Sequence, residues 1–159
     1  MRRFFIFGIC LLLGVSISCK KKKDDPPPKP YTSFILDGVK TTFNHASYFS
    51  KNFCGSSTFC TSFYLTSDTT SSETLKLGIP GDPVVGYVYQ TGEYRFSCFY
   101  VDAAGMRYDL ATAPFQVTFT QWDGQGGWAK GNFAGWLICE TGDSIQFQNG
   151  YFQNEIWTY

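Results

Sequence analysis

The stretch PFQVTFTQW, residues 114–122, decides the fold class. Phe115, Val117 and Phe119 fall on one side, and Gln116, Thr118 and Thr120 on the other. This period of two marks a strand with one buried and one wet face. Working outward, LKLGI (75–79) sets Leu75, Leu77 and Ile79 against Lys76 and Gly78. TFCTSFYLTS (58–67) reads as another strand, and the polar SDTTSSET (67–74) as a loop. FILDGVKTTF (34–43) holds Asp37-Gly38 between two β-rich runs, which is the composition of a two-residue hairpin turn. PGDP (80–83) is a turn. EYRFSCFYV (93–101) and MRYDLA (106–111) read as strands flanking Asp102-Ala103-Ala104-Gly105, a four-residue loop whose glycine is free to take positive φ.

Downstream, WDGQGGW (122–128) is a glycine-rich turn. NFAGWLIC (132–139) carries few polar residues, so a strand buried on both faces is expected. SIQFQ (144–148), Asn149-Gly150 and YFQNEIW (151–157) read as a hairpin that sets Phe147 opposite Phe152. Only FNHASYFSKNF (43–53) leaves room for a short helix, and there is no internal repeat. About eight to ten short strands with turn signals between them imply an all-β fold. The expectation is a single antiparallel β-sandwich, with a β-barrel as the alternative, because several strands alternate apolar with polar.

Residues 31–159 are long enough for one domain with a real core. What precedes them is different in kind. Arg2 and Arg3 form a basic head, and Phe4 to Ser18 is an apolar run too short to span a bilayer, which needs about 20 residues. This reads as a secretory signal peptide over residues 1–18, with small Ser18 before Cys19. Lys20 to Lys23, Asp24 and Asp25 follow as a charge run, and PPPKP (26–30) as a semi-rigid polyproline spacer. Residues 19–30 are therefore a tag and linker.

Ser16-Ile17-Ser18-Cys19 resembles the cleavage site of bacterial lipoproteins, although Ile17 departs from the preferred small residue. The resemblance implies lipid attachment at Cys19 and a membrane lipid as partner. Two or more acyl chains hold a protein on a membrane stably, where one does not. CKKKKDD (19–25) resembles the charged tag of Bacteroidota lipoproteins sent to the cell surface. That implies the outer membrane, cell-surface side, with its periplasmic face as the alternative. GGWAKGNFAGWLICETGDSIQFQNGYF (126–152) is similar to the ending of small Bacteroidota lipoproteins with no assigned activity. Its pattern falls on Gly131, Phe133 and Gly135, then Ile145, Phe147, Asn149, Gly150 and Phe152, and GEYRF (92–96) fits loosely. The resemblance implies fold and location only.

The whole chain is neutral, but residues 31–159 hold six basic and eleven acidic side chains, a net charge of −5. An acidic domain argues against nucleic acid as partner. Cys54, Cys60, Cys98 and Cys139 are an even number in an exported chain, which suggests two disulfides. Of the three pairings, Cys54–Cys60 and Cys98–Cys139 are preferred, with free buried thiols as the rival. Zinc is disfavoured, because there is no CxxC and one histidine. Neither a metal nor a cofactor is expected.

Chemistry is thin. His45 is the sole histidine, and no serine sits in a nucleophile elbow. Asp102, Asp109, Asp123, Glu140, Asp143 and Glu155 are scattered acids; glycoside hydrolysis needs two of them facing one cleft. The unusual feature is aromatic content: 13 Phe, 10 Tyr and 4 Trp in residues 31–159. Core packing takes most of the phenylalanines, but Tyr and Trp suit half-wet surfaces. Trp122 and Trp128 flank a turn with Asp123 and Gln125, a composition that suits a sugar-stacking platform; Tyr87, Tyr89 and Tyr94 would extend it. The other role for the two tryptophans is a lid on the core. The expected function is a non-catalytic, membrane-anchored surface lipoprotein binding an extracellular ligand such as a glycan. The alternatives are an accessory protein docked on a membrane-protein partner and, less favoured, a glycosidase.

Overall fold

The computed structural model describes residues 29–44, 48–53, 59–67 and 73–158. The signal peptide, Cys19, the charged tag, His45 and Cys54 lie outside the described residues. Twelve strands make up the described part: β1 (Tyr31–Leu36), β2 (Val39–Phe43), β3 (Tyr48–Phe53), β4 (Phe59–Thr66), β5 (Thr74–Pro80), β6 (Val88–Gln90), β7 (Ser97–Val101), β8 (Arg107–Asp109), β9 (Phe115–Trp122), β10 (Trp128–Cys139), β11 (Ser144–Glu155) and β12 (Trp157–Thr158). No helix occurs among the described residues. The segment with room for one is instead strand over β3.

The all-β antiparallel fold is as expected, and its strands belong to one curled half-barrel sheet. The hydrogen-bonded order is β12-β3-β4-β5-β7-β8-β10-β11-β1-β2, with β9 also on β10 and β6 on β9. Only the β12–β3 pair among them is parallel. The curl follows from the chain. A single residue, Ile156, separates β11 from β12, yet β12 pairs with β3 at the far end of the order. The sheet must bend until β3 reaches the end of β11. Rings from distant strands then meet inside: Phe63 of β4 lies 5.1 Å from Phe119 of β9 and 6.3 Å from Phe152 of β11.

Local chemistry explains the hairpins. Leu36 pairs with Val39, leaving Asp37 (φ 46°) and Gly38 (φ 85°) as a turn with positive φ at both central residues, the type whose twist matches the strands. Between β7 and β8, Val101 pairs with Arg107, so Met106 joins the loop and makes it one residue longer than expected. Asp102 closes it by accepting from Ala104 N at 2.9 Å and Met106 N at 2.8 Å. Residues 93–96 are turn, so β7 starts only at Ser97.

Asn149-Gly150 is not a hairpin. The strand β11 runs unbroken from Ser144 to Glu155. Along β1, Ser33 pairs with Tyr151 and Ile35 with Gln148; along β10, Phe133 pairs with Gly150 and Gly135 with Phe147. Both neighbours advance two residues while β11 advances three. Asn149, at φ 51°, is therefore the extra residue of a β-bulge. The bulge resets which side chains face inward. Ile145 and Phe147 are buried before it, and Gly150, Phe152 and Asn154 after it. Phe147 and Phe152 do not face each other; both enter the core from one strand.

Rows across β9, β10 and β11 explain the glycines. Gly131 lies between Phe119 and Phe152, Phe133 between Val117 and Gly150, and Gly135 between Phe115 and Phe147. Large and small side chains alternate in both directions, which fills a curved wall without voids. The rings close over the glycines: Phe119 and Phe152 meet at 5.3 Å, and Phe115 and Phe147 at 5.9 Å. The same parity corrects the reading of β10. Ala129, Gly131, Phe133, Leu137 and Cys139 are buried, while Asn132 and Trp136 are exposed, so this strand buries one face only.

Cys98 and Cys139 are free thiols, contrary to the expected bridge. β8 stands between their strands: Phe99 pairs with Asp109 and Cys139 with Tyr108. Two strand spacings, about 9–10 Å, exceed the roughly 7 Å that a disulfide tolerates between Cα atoms. No disulfide joins two described residues; Cys60 is bonded to a partner outside them, where Cys54 also lies.

Tyr100 is buried in the core, and its hydroxyl donates to Glu73 Oε1 at 2.5 Å. Burial first, then the Glu73 bond, raises its phenol well above the ordinary value. Burial likewise raises the Cys98 thiol. A folded-state value above the unfolded one gives stability that is complete below the unfolded pKa and is lost as pH rises past it. Unfolding midpoints in urea are therefore expected to fall from about pH 8.5 upward through Cys98, and more steeply above about pH 10 where Tyr100 adds to it. Each further pH unit removes up to about 1.4 kcal/mol for Tyr100 alone. Tyr100→Phe is expected to be less stable near neutrality but flatter in the alkaline range. An equally steep loss in that variant would assign the effect to other groups.

Candidate functional site

The sequence points first to Trp122 and Trp128. Trp122 pairs with Ala129, which is buried, and shares its face. It packs against the core with its ring edge-on to Phe63, 5.7 Å away. Trp128, one residue before Ala129, projects from the opposite face of the same hairpin. The two indoles are not one platform. Asp123 holds the turn together: its carboxylate accepts from Gln121 Nε2 at 2.6 Å and from Trp128 N at 3.2 Å. Gln125 is exposed at the turn. The four residues are neighbours in sequence, and the structure does not bring them together on one surface.

The outer face of β6, β9 and β10 does collect a site. Gln90 of β6 pairs with Gln116 of β9, which pairs with Ala134 of β10. One step along, Val88 pairs with Thr118, and Thr118 with Asn132. Trp136 follows Ala134 on the same face of β10 and is 37% exposed. Two adjoining hollows result. One, of about 330 Å³, is lined by Gln90, Thr91, Pro114, Gln116, Ala134 and Trp136 among others. The other, of about 380 Å³, is lined by Gln116, Thr118, Asn132, Ala134 and Asn149 among others. They share Gln116 and Ala134, and no charged side chain lines either.

The cause is local. Ala134 is small between Gln116 and Trp136, and the β11 bulge turns Asn149 out beside the second hollow. Thr91 is committed to structure, donating to Ala113 O at 2.8 Å and accepting from Phe115 N at 2.9 Å. The amides of Gln90, Gln116, Asn132 and Asn149 are another matter. Each offers two donors and an acceptor, and the first three belong to exposed positions on one face.

A second surface lies at the open side of β6, which pairs with β9 alone. Val84, Val85, Tyr87, Val88 and Tyr94 are exposed there, Tyr94 by 76%. Tyr87 meets Tyr89 edge-on at 4.8 Å, and the Arg95 guanidinium lies 4.5 Å from the Tyr94 ring centre. The Glu93 carboxylate raises the Tyr87 phenol. Tyr89 is buried, its hydroxyl accepting from Val84 N at 2.8 Å. Of the three tyrosines named from sequence, Tyr87 and Tyr94 are thus exposed together, on a surface distinct from the Trp122–Trp128 turn.

The acids do not gather. Asp109 is tied to Arg107 at 2.6 Å, and Asp143 accepts from Thr141 at 2.8 Å. No group of three or more His, Cys, Asp or Glu side chains that could hold a metal occurs among the described residues. The sequence named neither Trp136 nor Asn132 as a site residue. A signal was present: extending the polar side of 114–122 onto its hairpin partner places Gln116, Thr118, Asn132 and Trp136 together. No protein-family model, curated protein or solved structure matches this chain.

Proposed function

We propose that this protein is a non-catalytic lipoprotein, anchored through Cys19 to the outer membrane on the cell-surface side, whose β domain binds glycan on the outer face of β9 and β10. The observation that carries the binding reading is the uncharged hollow beside exposed Trp136. An indole stacks on the apolar face of a sugar ring, and neighbouring amides satisfy its hydroxyls. Glycoside hydrolysis requires two carboxylates across the bond to be cleaved, and the hollows are lined by none. The anchoring part of the reading rests on Ser16-Ile17-Ser18-Cys19 and the charged tag behind it.

Residues 29–159 include every described strand and core residue, so they serve as the soluble form for tests. A glycan array on this form, followed by calorimetric titration of any hit, checks the reading. Trp136→Ala is expected to weaken binding by about tenfold or more, or ~1.4 kcal/mol. Trp122→Ala alters packing against Phe63 and is expected to lower stability more than affinity. Absence of binding across the array would end the glycan reading. It would turn attention to the apolar strip at β6, which supports docking on a membrane-protein partner.

A further inference from the structure

We infer that the ligand of the β9–β10 face is a neutral oligosaccharide, bound as an extended chain along β10, and not an acidic or sulfated glycan. This rests on the glycan reading above and narrows it.

Three features of the face argue for it. The first is charge. Both hollows are lined by amide, hydroxyl and apolar groups alone. An anionic sugar needs an arginine or lysine to compensate the water that its carboxylate or sulfate loses. The first charged side chain on this face of β10 is Lys130, one outward step beyond Asn132 and outside both hollows. The domain's net charge of −5 further opposes an anion.

The second is length. Asn132, Ala134 and Trp136 are successive outward positions of one strand. Their ends lie about 13 Å apart at the usual rise per residue. That span, with the hollows joined through Gln116 and Ala134, suits a chain of linked rings better than a single sugar.

The third is the order of groups. Trp136 stands at one end as a stacking surface, and Gln116 and Asn132 offer donors and acceptors along the remainder. A neutral sugar ring has the same make-up, with an apolar face and a hydroxyl rim.

The test is calorimetric titration of residues 29–159 with neutral hexaoses of glucose, mannose and galactose, and with an oligogalacturonate and a sulfated hexamer. At least one neutral hexaose is expected to bind. Its affinity should change less than about twofold between low and roughly 0.5 M salt, since no ion pair is involved. Trp136→Ala should weaken it about tenfold or more, and Asn132→Ala several-fold. Both side chains are exposed, and circular dichroism checks that each variant folds before it is titrated. Binding of an acidic hexamer alone, lost in Trp136→Ala and weakened by salt, would overturn the neutral-ligand inference and leave the glycan reading standing. Neutral binding that survives Trp136→Ala would overturn the assignment to this face. No binding by either class would overturn both readings.

Discussion

Asn149→Val is expected to cost about 1–2 kcal/mol, because a β-branched residue resists the φ of 51° that Asn149 adopts. Asn149→Gly is expected to stay within about 1 kcal/mol of the parent, since glycine accepts that conformation. Deletion of Asn149 is expected to leave the domain folded. Asn149 is the one residue by which β11 outruns both β1 and β10, so without it β11 falls into step with both neighbours. Ile145 and Phe147 on one side of the cut, and Phe152 and Ile156 on the other, are all buried. Plain alternation then keeps all four inward, because the bulge had placed two outward residues, Gln148 and Asn149, in a row. What the deletion removes is the local twist that the bulge adds. Near-ultraviolet circular dichroism and urea unfolding distinguish the three. A deletion variant without the parent's aromatic signal or cooperative unfolding would show that the curl of the sheet depends on the bulge itself.

The same residue shows what was legible in the sequence. Asn-Gly takes positive φ readily, and both a two-residue turn and a β-bulge use that ability. At Asp37-Gly38 both residues have positive φ and the flanking runs pair with each other. At Asn149-Gly150 only Asn149 does, and the flanks pair with β1 and β10. Which applies depends on partners more than a hundred residues away in one case and about fifteen in the other, and local composition does not contain them. By contrast, β9 was legible because its alternation is complete: Phe115, Val117 and Phe119 are buried with polar residues between them. In β10 the outward residues include Ala134, Trp136 and Ile138, which hides the alternation among apolar neighbours. The strand around Trp136 therefore reads as buried on both faces, and the turn at Trp122 and Trp128 as the candidate platform. The expected Cys98–Cys139 bridge failed for a related reason. Both residues do lie on strands, as expected, but β8 intervenes between them.

Gly135→Ala is expected to cost about 3–5 kcal/mol, an unusually large loss for the addition of one methyl group. Two penalties coincide at this position. Gly135 has φ 146°, where an L side chain is strained, at a cost of about 1–3 kcal/mol. Its new Cβ would also run into Pro114 O and the Cα of Phe115. Both are backbone atoms, so no side-chain rotation relieves the contact. Overpacking of this kind costs about 1–3 kcal/mol. The strand cannot retreat, because Trp136 N donates to Pro114 O at 3.0 Å and holds the two segments together. Nor can the methyl group turn inward, since the rings of Phe115 and Phe147 already meet across this row. Gly142→Ala is the control for backbone strain alone: φ is 90°, and a Cβ there has nothing within 4 Å. Its cost is expected near 1–2 kcal/mol. Urea denaturation of both variants separates strain from crowding, and equal losses would show that the close approach of β9 to β10 is absent in solution. Because Gly135 lies beside Trp136, a surviving but loosened variant should also bind its ligand more weakly. The closeness that makes the glycine necessary to the wall is also what sets the indole at the mouth of the hollow.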